Sequence, residues 1–140
     1  MVALNKYLDA LHEITTKVEV TDELRKPIST NSAMDQIIDL LHQVRDTKKK
    51  NIFIGNGGSA AIASHMAIDY SKNGRLPSLA FNDGSALTCL GNDLGFENVF
   101  AEQIKLHARQ GDLLFAISSS GASANILAAV KQAKESRCRV

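Results

Sequence analysis

A serine-rich segment at residues 118–123, with the sequence Ser-Ser-Ser-Gly-Ala-Ser, has the residue types of an anion-binding loop. It follows a short apolar run that predicts a strand, and it precedes a pattern with helical periodicity. The first N–H groups of a helix lack intrahelical partners and favour negative charge, and hydroxyls donate to phosphate oxygens. The segment therefore predicts a phosphate site; the alternative is a helix N-cap with surplus serines that bind nothing. The candidate ligands are Ser118, Ser119, Ser120 and Ser123.

A second loop, Gly-Asn-Gly-Gly-Ser at residues 55–59, also lies between an apolar run and a helical pattern. It lacks the lysine of a nucleotide-binding P-loop and the G-x-G-x-x-G spacing of dinucleotide-binding folds, so we expect no nucleotide cofactor. Its glycines predict space for a ligand between two strand ends. A Gly-rich turn that binds no ligand has the same composition and is the alternative interpretation.

His65 and Asp69 lie four residues apart in the helical pattern that follows, so they share one face of that helix. The pair supplies at most two ligands to a metal ion, whereas a zinc site needs three or four, and a solvated surface pair is the alternative. The other histidines lie on predicted amphipathic helices and suggest no function. The cysteines, Cys89 and Cys138, match no metal-ligand spacing and predict free thiols in a reducing compartment.

The periodicity of apolar residues predicts the elements that position these side chains. Two amphipathic helices come first, one over residues 4–14 and one that begins near residues 29–32, with Ser32 or Asn31 as its N-cap. A run of three lysines at residues 48–50 predicts a solvated end of the second helix. Strands are predicted over 52–54, 78–81 and 113–117, and further helices over 60–71, 85–92, 96–109 and 124–135.

Short apolar strands that alternate with helices are typical of an α/β protein, with a parallel sheet covered by helices on both faces. The length of 140 residues favours one domain. We assign residues 1–49 to the two leading helices and residues 50–140 to the α/β core. Residues 138–140 resemble the first residues of another buried strand, which predicts a core that is incomplete at its C-terminal side, before the last strands and helix.

The balance of charge excludes some partners. Sixteen basic and fifteen acidic residues give a net charge of +1, which is unlike the strongly basic proteins that bind nucleic acid or anionic membranes. The first ten residues mix charged and apolar types, unlike a secretory signal, and no run approaches the roughly 20 apolar residues that span a bilayer. We therefore expect a cytoplasmic protein with neither a nucleic-acid nor a membrane partner.

Three motifs follow one another along the chain: GNGGSAAIASH at residues 55–65, LGNDLGF at 90–96 and ISSSGAS at 117–123. With the two leading helices, they resemble the sugar isomerase (SIS) domain family, and within it the phosphoheptose isomerase group. The resemblance covers nearly the whole chain. It implies a three-layer SIS fold, in which helices flank a parallel sheet and two helices precede it.

The resemblance also implies a substrate and its contacts. In the proteins that the chain resembles, the serine loop holds the phosphate of a small sugar, while the first loop and the Asp of the GND segment hold the sugar hydroxyls. The implied reaction interconverts a ketose phosphate, sedoheptulose 7-phosphate, and an aldose phosphate through an enediol. The implied sugar-binding residues outside the serine loop are Asn56, Gly57, Gly58, Ser59 and Asp93.

The catalytic position departs from the family pattern. The base of the isomerases is a Glu four residues after the motif His, and Asp69, which is one methylene shorter, holds that position here. His65 matches the His that binds zinc in some members, so the resemblance implies a zinc site with His65 and Asp69 as ligands. The partner His and a Gln that assists zinc binding come from a later helix in the family and have no counterpart in these 140 residues.

More than one function therefore remains open. The first is a phosphoheptose isomerase, with Asp69 as its base, which would supply sugar precursors for the lipopolysaccharide of the bacterial envelope. The second is a non-catalytic SIS protein, either a phosphosugar sensor or an oligomeric adaptor like the relative that assists the bacterial replication initiator. An inactive fragment is the third. The apolar stripes of the leading helices predict a homo-oligomer, a dimer or a tetramer, with active sites completed across the interface.

Overall fold

The structure is a computed structural model that describes residues 2–140. Contacts divide it into two compact units, one that runs to Asp39 and one that covers Leu40–Val140. The domain assignment made from the sequence stays a prediction. In chain order the elements are α1 (Val2–Thr16), β1 (Val20–Thr21), β2 (Pro27–Ile28), α2 (Thr30–Asp46), β3 (Asn51–Gly55), α3 (Gly58–Lys72), β4 (Ser78–Ala80), α4 (Gly84–Leu94), a 3-10 turn (Phe96–Asn98), α5 (Val99–His107), β5 (Leu113–Ile117) and α6 (Ala124–Glu135).

The first unit contains α1 and a short antiparallel pair of strands. Val20 pairs with Ile28 and Thr21 pairs with Pro27. The turn between them is held by the Asp22 carboxylate, whose Oδ1 accepts the backbone N–H groups of Leu24 at 2.8 Å and Lys26 at 2.9 Å. Neither strand is predicted from the sequence, because two residues are too few to show a period of two.

The start of α2 corrects one sequence prediction. Ser29 Oγ accepts the backbone N–H of Ser32 at 3.1 Å, and the Ser29 carbonyl accepts the N–H of Ala33 at 2.9 Å. Ser29 is therefore the N-cap, and the assignment of the cap to Ser32 or Asn31 is wrong because both lie inside the helix. Ser, Thr and Asn all cap well, so composition alone does not select one residue from a cluster of them.

The second unit contains a parallel sheet with the strand order β4-β3-β5. Asn51 pairs with Ser78 on one side and with Leu113 on the other. Arg139 forms an isolated parallel bridge with Leu113, at the edge of β5, while Val140 is 51% exposed. The buried strand predicted to begin at residues 138–140 stays a prediction. The predicted parallel α/β sheet is confirmed, with β3 at its centre.

Helices cover both faces of this sheet. On one face, Phe53 of β3 stacks on Phe115 of β5 with 4.7 Å between ring centroids, and both pack in a cluster with Ala63 and Ala67 of α3. On the other face, Ile52, Ile54 and Leu114 pack against α5 and α6. The alternation along β3 follows from the period of two in a strand, which sends neighbouring side chains to opposite faces. Core positions on α5 and α6 include Phe100, Ile104, Ile126, Ala129 and Ala133.

The helix predicted over 124–135 has the predicted bounds, and the helix predicted over 60–71 extends over Gly58–Lys72. Two further helices differ from their predictions. The helix predicted over 85–92 extends over Gly84–Leu94, since the Asp83 side chain caps it by accepting the N–H of Ala86 at 2.8 Å. The helix predicted over 96–109 is divided into the 3-10 turn and α5. Among residues 2–140, no helix is both long and apolar enough to cross a membrane.

Asp112 anchors the amino-terminal edge of the sheet. Its side chain is 1% exposed and accepts the backbone N–H groups of Lys50 at 3.1 Å and Arg109 at 2.7 Å. The ammonium group of Lys50 pairs with the second carboxylate oxygen, so the prediction of a solvated lysine run is wrong for Lys50. Burial raises the pKa of the neighbouring Cys138 thiol, and the Asp112 carboxylate raises it further, while Lys50 lowers it.

Candidate functional site

The two predicted loops leave the sheet side by side. Gly55, the last residue of β3, pairs with Ile117, the last residue of β5, so Asn56 and Ser118 begin neighbouring loops. The connection after β3 leads to one neighbouring strand, β4, and the chain later returns to the other neighbour, β5. Open α/β sheets bind ligands at the carboxyl ends of their strands where the order reverses in this way. The structure therefore brings both loops to the edge where a ligand is expected.

The serine loop is folded by hydrogen bonds to its own hydroxyl oxygens. Gly121 has a φ of 65°, which favours glycine, and its N–H donates to Ser118 Oγ at 3.1 Å. The N–H of Ala122 donates to Ser120 Oγ at 3.2 Å, and the hydroxyls of Ser120 and Ser123 lie 3.4 Å apart. Three of the four predicted serines thus make hydrogen bonds within the loop, and Ser119 is exposed beside them.

The start of α6 presents amide groups to this loop. Ser123 holds the N-cap position in an extended conformation, but its side chain caps no helix amide. Its carbonyl accepts the N–H groups of Ile126 and Leu127 at 3.0 Å each. Within residues 2–140, the N–H groups of Ala124 and Asn125 donate to no backbone carbonyl. The helix end therefore has free donors beside the serine hydroxyls, an arrangement suited to an anion.

The first loop turns tightly and borders open space. A Cβ atom on Gly55 would lie 2.6 Å from the backbone of Ser59, so only glycine allows this approach. The turn is closed by the N–H of Ser59, which donates to the Asn56 carbonyl at 2.9 Å. A Cβ atom on Gly57 or Gly58 would meet no described atom within 4 Å. The backbone at these two glycines is thus open to close approach by a ligand.

Two asparagine side chains join the loops directly. Asn56 Nδ2 donates to Asn125 Oδ1 at 2.9 Å, and Asn125 Nδ2 donates to Asn56 Oδ1 at 2.9 Å. Asn125 is 3% exposed. Asn125 is not among the residues predicted for the site, although its position carries a signal. It lies four residues before Ala129, on the face of α6 that packs in the core, where a polar residue requires a hydrogen-bond partner.

A third asparagine, also missed, follows β4. Asn82 Nδ2 donates to the carbonyl of Ala60 at 2.9 Å and to Ser64 Oγ at 3.0 Å. These bonds connect the first turns of α3 to the segment after β4. They hold in place the start of α3, which contains the last residues of the first loop.

His65 and Asp69 form a contact on the exposed face of α3. His65 Nε2 lies 3.2 Å from Asp69 Oδ2, with the side chains 73% and 43% exposed. Asn73 Nδ2 donates to the other Asp69 oxygen at 3.3 Å. The buried residues of this helix, Ala63 and Ala67, lie on the opposite side. Among the residues that the structure describes, no cluster of three or more His, Cys, Asp or Glu side chains exists.

Asp93 lies in the last turn of α4. Its carboxylate accepts the Asn92 amide at 2.8 Å and the Cys89 thiol at 3.6 Å. Both partners belong to α4, so these bonds do not link Asp93 to either loop. The Asp93 side chain is exposed. Its role in sugar binding stays a prediction.

The sequence matches the family described as SIS domain over residues 6–140. It is 42% identical over 137 residues to a phosphoheptose isomerase of Nitratiruptor sp.. That match covers 94% of this chain and 70% of the relative's length. It is 34% identical over 129 residues to a phosphoheptose isomerase of Clostridium acetobutylicum. That match covers 88% of this chain and 66% of the relative's length.

Solved structures give the same result. A phosphoheptose isomerase from Neisseria gonorrhoeae has a TM-score of 0.71 at 43% identity and covers 74% of this chain. One from Francisella tularensis has a TM-score of 0.72 at 31% identity and covers 76% of this chain. The fold implied by the three motifs is therefore confirmed. The chain itself spans only 56% and 58% of those two proteins.

Proposed function

The chain belongs to the SIS domain family, and from that premise we propose that it binds a phosphorylated sugar and interconverts its ketose and aldose forms. The curated relatives named above are phosphoheptose isomerases, so the proposed substrates are sedoheptulose 7-phosphate and an aldose heptose 7-phosphate. The observation that carries the proposal is the pairing of Gly55 with Ile117, since it sets a serine loop and a glycine loop side by side at the carboxyl edge of the sheet.

The proposed phosphate site is the serine loop together with the first turn of α6. Ser118 and Ser120 accept backbone N–H groups through their hydroxyl oxygens. Because those bonds use oxygen lone pairs, they leave the Ser118 hydroxyl proton available for a phosphate oxygen. Ser120 and Ser123 share one contact between their hydroxyls, so at least one of those two protons is available as well. The free N–H groups of Ala124 and Asn125 add donors at the positive end of the helix dipole. Hydrogen bonds to a charged acceptor are the strong ones, which suits a dianion in a site that has no lysine or arginine of its own.

The proposed sugar site is the first loop. Asn56 and Ser59 offer side-chain hydrogen bonds, and the open backbone at Gly57 and Gly58 allows a sugar to lie against the chain. Asp93, from the GND segment, is proposed to complete the contacts with the sugar hydroxyls. A sugar phosphate spanning both loops would place its carbon skeleton over β3 and its phosphate over α6.

The proposed base is Asp69. Isomerisation moves a proton between adjacent carbons: the base removes it from one carbon while an acid protonates the carbonyl oxygen, and an enediol forms. The proton then returns to the other carbon as the hydroxyl on the first carbon gives up its proton and becomes the new carbonyl. His65 and Asn73 each contact one Asp69 oxygen and so orient the carboxylate, which keeps lone pairs free to accept a proton.

His65 and Asp69 are also proposed as two ligands of a zinc ion. Two ligands of a tetrahedral zinc at about 2.1 Å lie about 3.4 Å apart, and the observed 3.2 Å between His65 Nε2 and Asp69 Oδ2 fits that spacing. The described residues bring no third His, Cys, Asp or Glu side chain to this pair, so the proposed site needs further ligands of another kind or from another chain. A zinc ion bound there would polarise a substrate oxygen.

The non-catalytic alternative is not favoured, because the relatives and solved structures named above are all phosphoheptose isomerases. A cytoplasmic location is part of the proposal. A dianionic sugar phosphate enters an apolar bilayer only at a large desolvation cost, so it stays in the compartment where it is made.

We expect Ser120→Ala to weaken binding of sedoheptulose 7-phosphate by about tenfold or more, because a lost hydrogen bond to a charged group costs about 1.5–3 kcal/mol. Isothermal titration measures this, with unphosphorylated sedoheptulose as the comparison ligand. Ser136→Ala, at the far end of α6, is the matched control and should leave affinity unchanged. Equal affinity of the wild-type protein for both sugars would refute the phosphate site.

The exposed apolar stripe of α1 supports a proposed homo-oligomer, a dimer or a tetramer. We expect light scattering to give the mass of an oligomer for the wild-type protein, and a smaller mass for Leu8→Ser/Leu11→Ser. Lys6→Ser, on the polar face of the same helix, should leave the mass unchanged. A wild-type monomer would contradict the proposal. The stripe consists of Leu4, Tyr7, Leu8, Leu11 and Ile14, all exposed in the single chain.

A further inference from the structure

We propose that the reciprocal amide pair of Asn56 and Asn125 is a clasp that sets the spacing between the phosphate-binding loop and the sugar-binding loop. In this role Asn125 is a positioning residue: it acts on the substrate through Asn56 and contacts no reacting atom. The effect on sugar binding rests on the proposed function, whereas the mechanical coupling of the two loops does not.

The geometry of the pair suits a clasp. Each amide donates once and accepts once, at 2.9 Å in both directions, so the two planar groups are locked against rotation. Asn56 is the first residue after β3, and Asn125 is the second residue of α6, 69 positions later. The clasp therefore connects the sugar-binding loop to the helix whose first turn forms the phosphate site.

Burial makes the pair mutually dependent. Asn125 is 3% exposed, and within residues 2–140 both hydrogen bonds of its side chain go to Asn56. Its neighbours Ile126 and Ala129 belong to the apolar core. An amide in such a place is costly without its partner, so the side chain of Asn56 is held where Asn125 needs it.

The clasp also decides what Asn56 offers to a ligand. Asn56 uses one amide hydrogen and one oxygen lone pair in its hydrogen bonds with Asn125. One amide hydrogen and one lone pair remain for a sugar hydroxyl. Since the carbonyl oxygen faces the Asn125 amide, the remaining donor and acceptor point in fixed directions. A sugar phosphate, which must reach both loops, depends on this arrangement, while inorganic phosphate needs only the serine loop and α6.

A ligand-free experiment tests the coupling. We expect Asn56→Ala to speed hydrogen exchange of the backbone amides at residues 118–124 by about tenfold, although the substitution lies in the other loop. Asn51→Ala is the matched control: it removes a buried asparagine bond, to Ser78 Oγ at 3.1 Å, from the opposite end of the same strand. Equal exchange at 118–124 in the two variants, with both folded by circular dichroism, would overturn the clasp.

A titration tests its consequence for the ligand. We expect Asn125→Ala to weaken binding of sedoheptulose 7-phosphate by about tenfold and of inorganic phosphate by less than about threefold. In the Asn56→Ala background the same substitution should add little, because Asn125 acts through Asn56. Additive losses would reveal a separate structural role and overturn the positioning assignment. A wild-type protein that binds inorganic phosphate but no sugar phosphate would refute the proposed function, while the exchange rates would still decide the coupling.

Discussion

Asp69→Asn is expected to lower kcat for sugar phosphate isomerisation by about a hundredfold to ten-thousandfold, the usual contribution of a positioned general base. The substitution keeps the size of the side chain and one acceptor oxygen for its contacts with His65 and Asn73, but removes the carboxylate that accepts the proton. Substrate affinity should change little, because the proposed phosphate and sugar contacts are made by other residues, of which those on α3 lie in its first turn, ten or more positions before Asp69. Turnover and direct titration of sedoheptulose 7-phosphate separate the two effects.

Asp69→Glu is the informative companion variant. It lengthens the side chain to that of the isomerases that the chain resembles, and a shift of about 1 Å in a catalytic group changes rates by up to about a hundredfold. We expect Asp69→Glu to retain or raise turnover. For the proposed zinc site, we expect His65→Ala to lower the zinc content of the protein, measured by elemental mass spectrometry. Wild-type turnover in Asp69→Asn, or no turnover in both the wild-type protein and Asp69→Glu, would contradict the assignment of the base.

Asp112→Ala is expected to lower the free energy of unfolding by about 3–5 kcal/mol, since it leaves the partners of a buried charge without an acceptor. The carboxylate is 1% exposed, pairs with the Lys50 ammonium and accepts two backbone N–H groups, from Lys50 and Arg109. Lys50 directly precedes β3, and Arg109 and Asp112 lie in the turn before β5, so the cluster holds the starts of two strands together. Urea denaturation measures the loss.

The control for this prediction is an ion pair on the surface. Arg45 Nε lies 2.9 Å from Asp46 Oδ1, with both side chains about half exposed or more. Solvent screens such a pair, so Asp46→Ala should cost less than about 1 kcal/mol. Equal losses in Asp46→Ala and Asp112→Ala would mean that the buried cluster contributes no more than surface charges do.

Local patterns were enough to predict the elements of the sheet. β3 and β5 are apolar runs followed by Gly- or Ser-rich turns, and each was predicted to within two residues of its observed ends. The errors lie where the deciding partner is distant or the signal is short. Lys50 looked solvated because Asp112 is 62 positions away, and β1 and β2 have two residues each.

The candidate site shows the same limit. Its two loops were predicted because each carries its own motif, and the register of β3 against β5 brings them together. Asn125 was missed because its importance arises from Asn56, a residue 69 positions earlier, once that register exists. No spacing pattern in the sequence predicts a hydrogen bond between residues so far apart. A polar residue on the buried face of α6 does indicate that some hydrogen-bond partner exists.

The most direct measurement is a crystal structure of the protein soaked with sedoheptulose 7-phosphate. Density for the phosphate group among Ser118, Ser120 and the first turn of α6, with the sugar over Gly57 and Gly58, is the predicted result. A phosphate bound elsewhere, or an empty serine loop at saturating ligand, would contradict it.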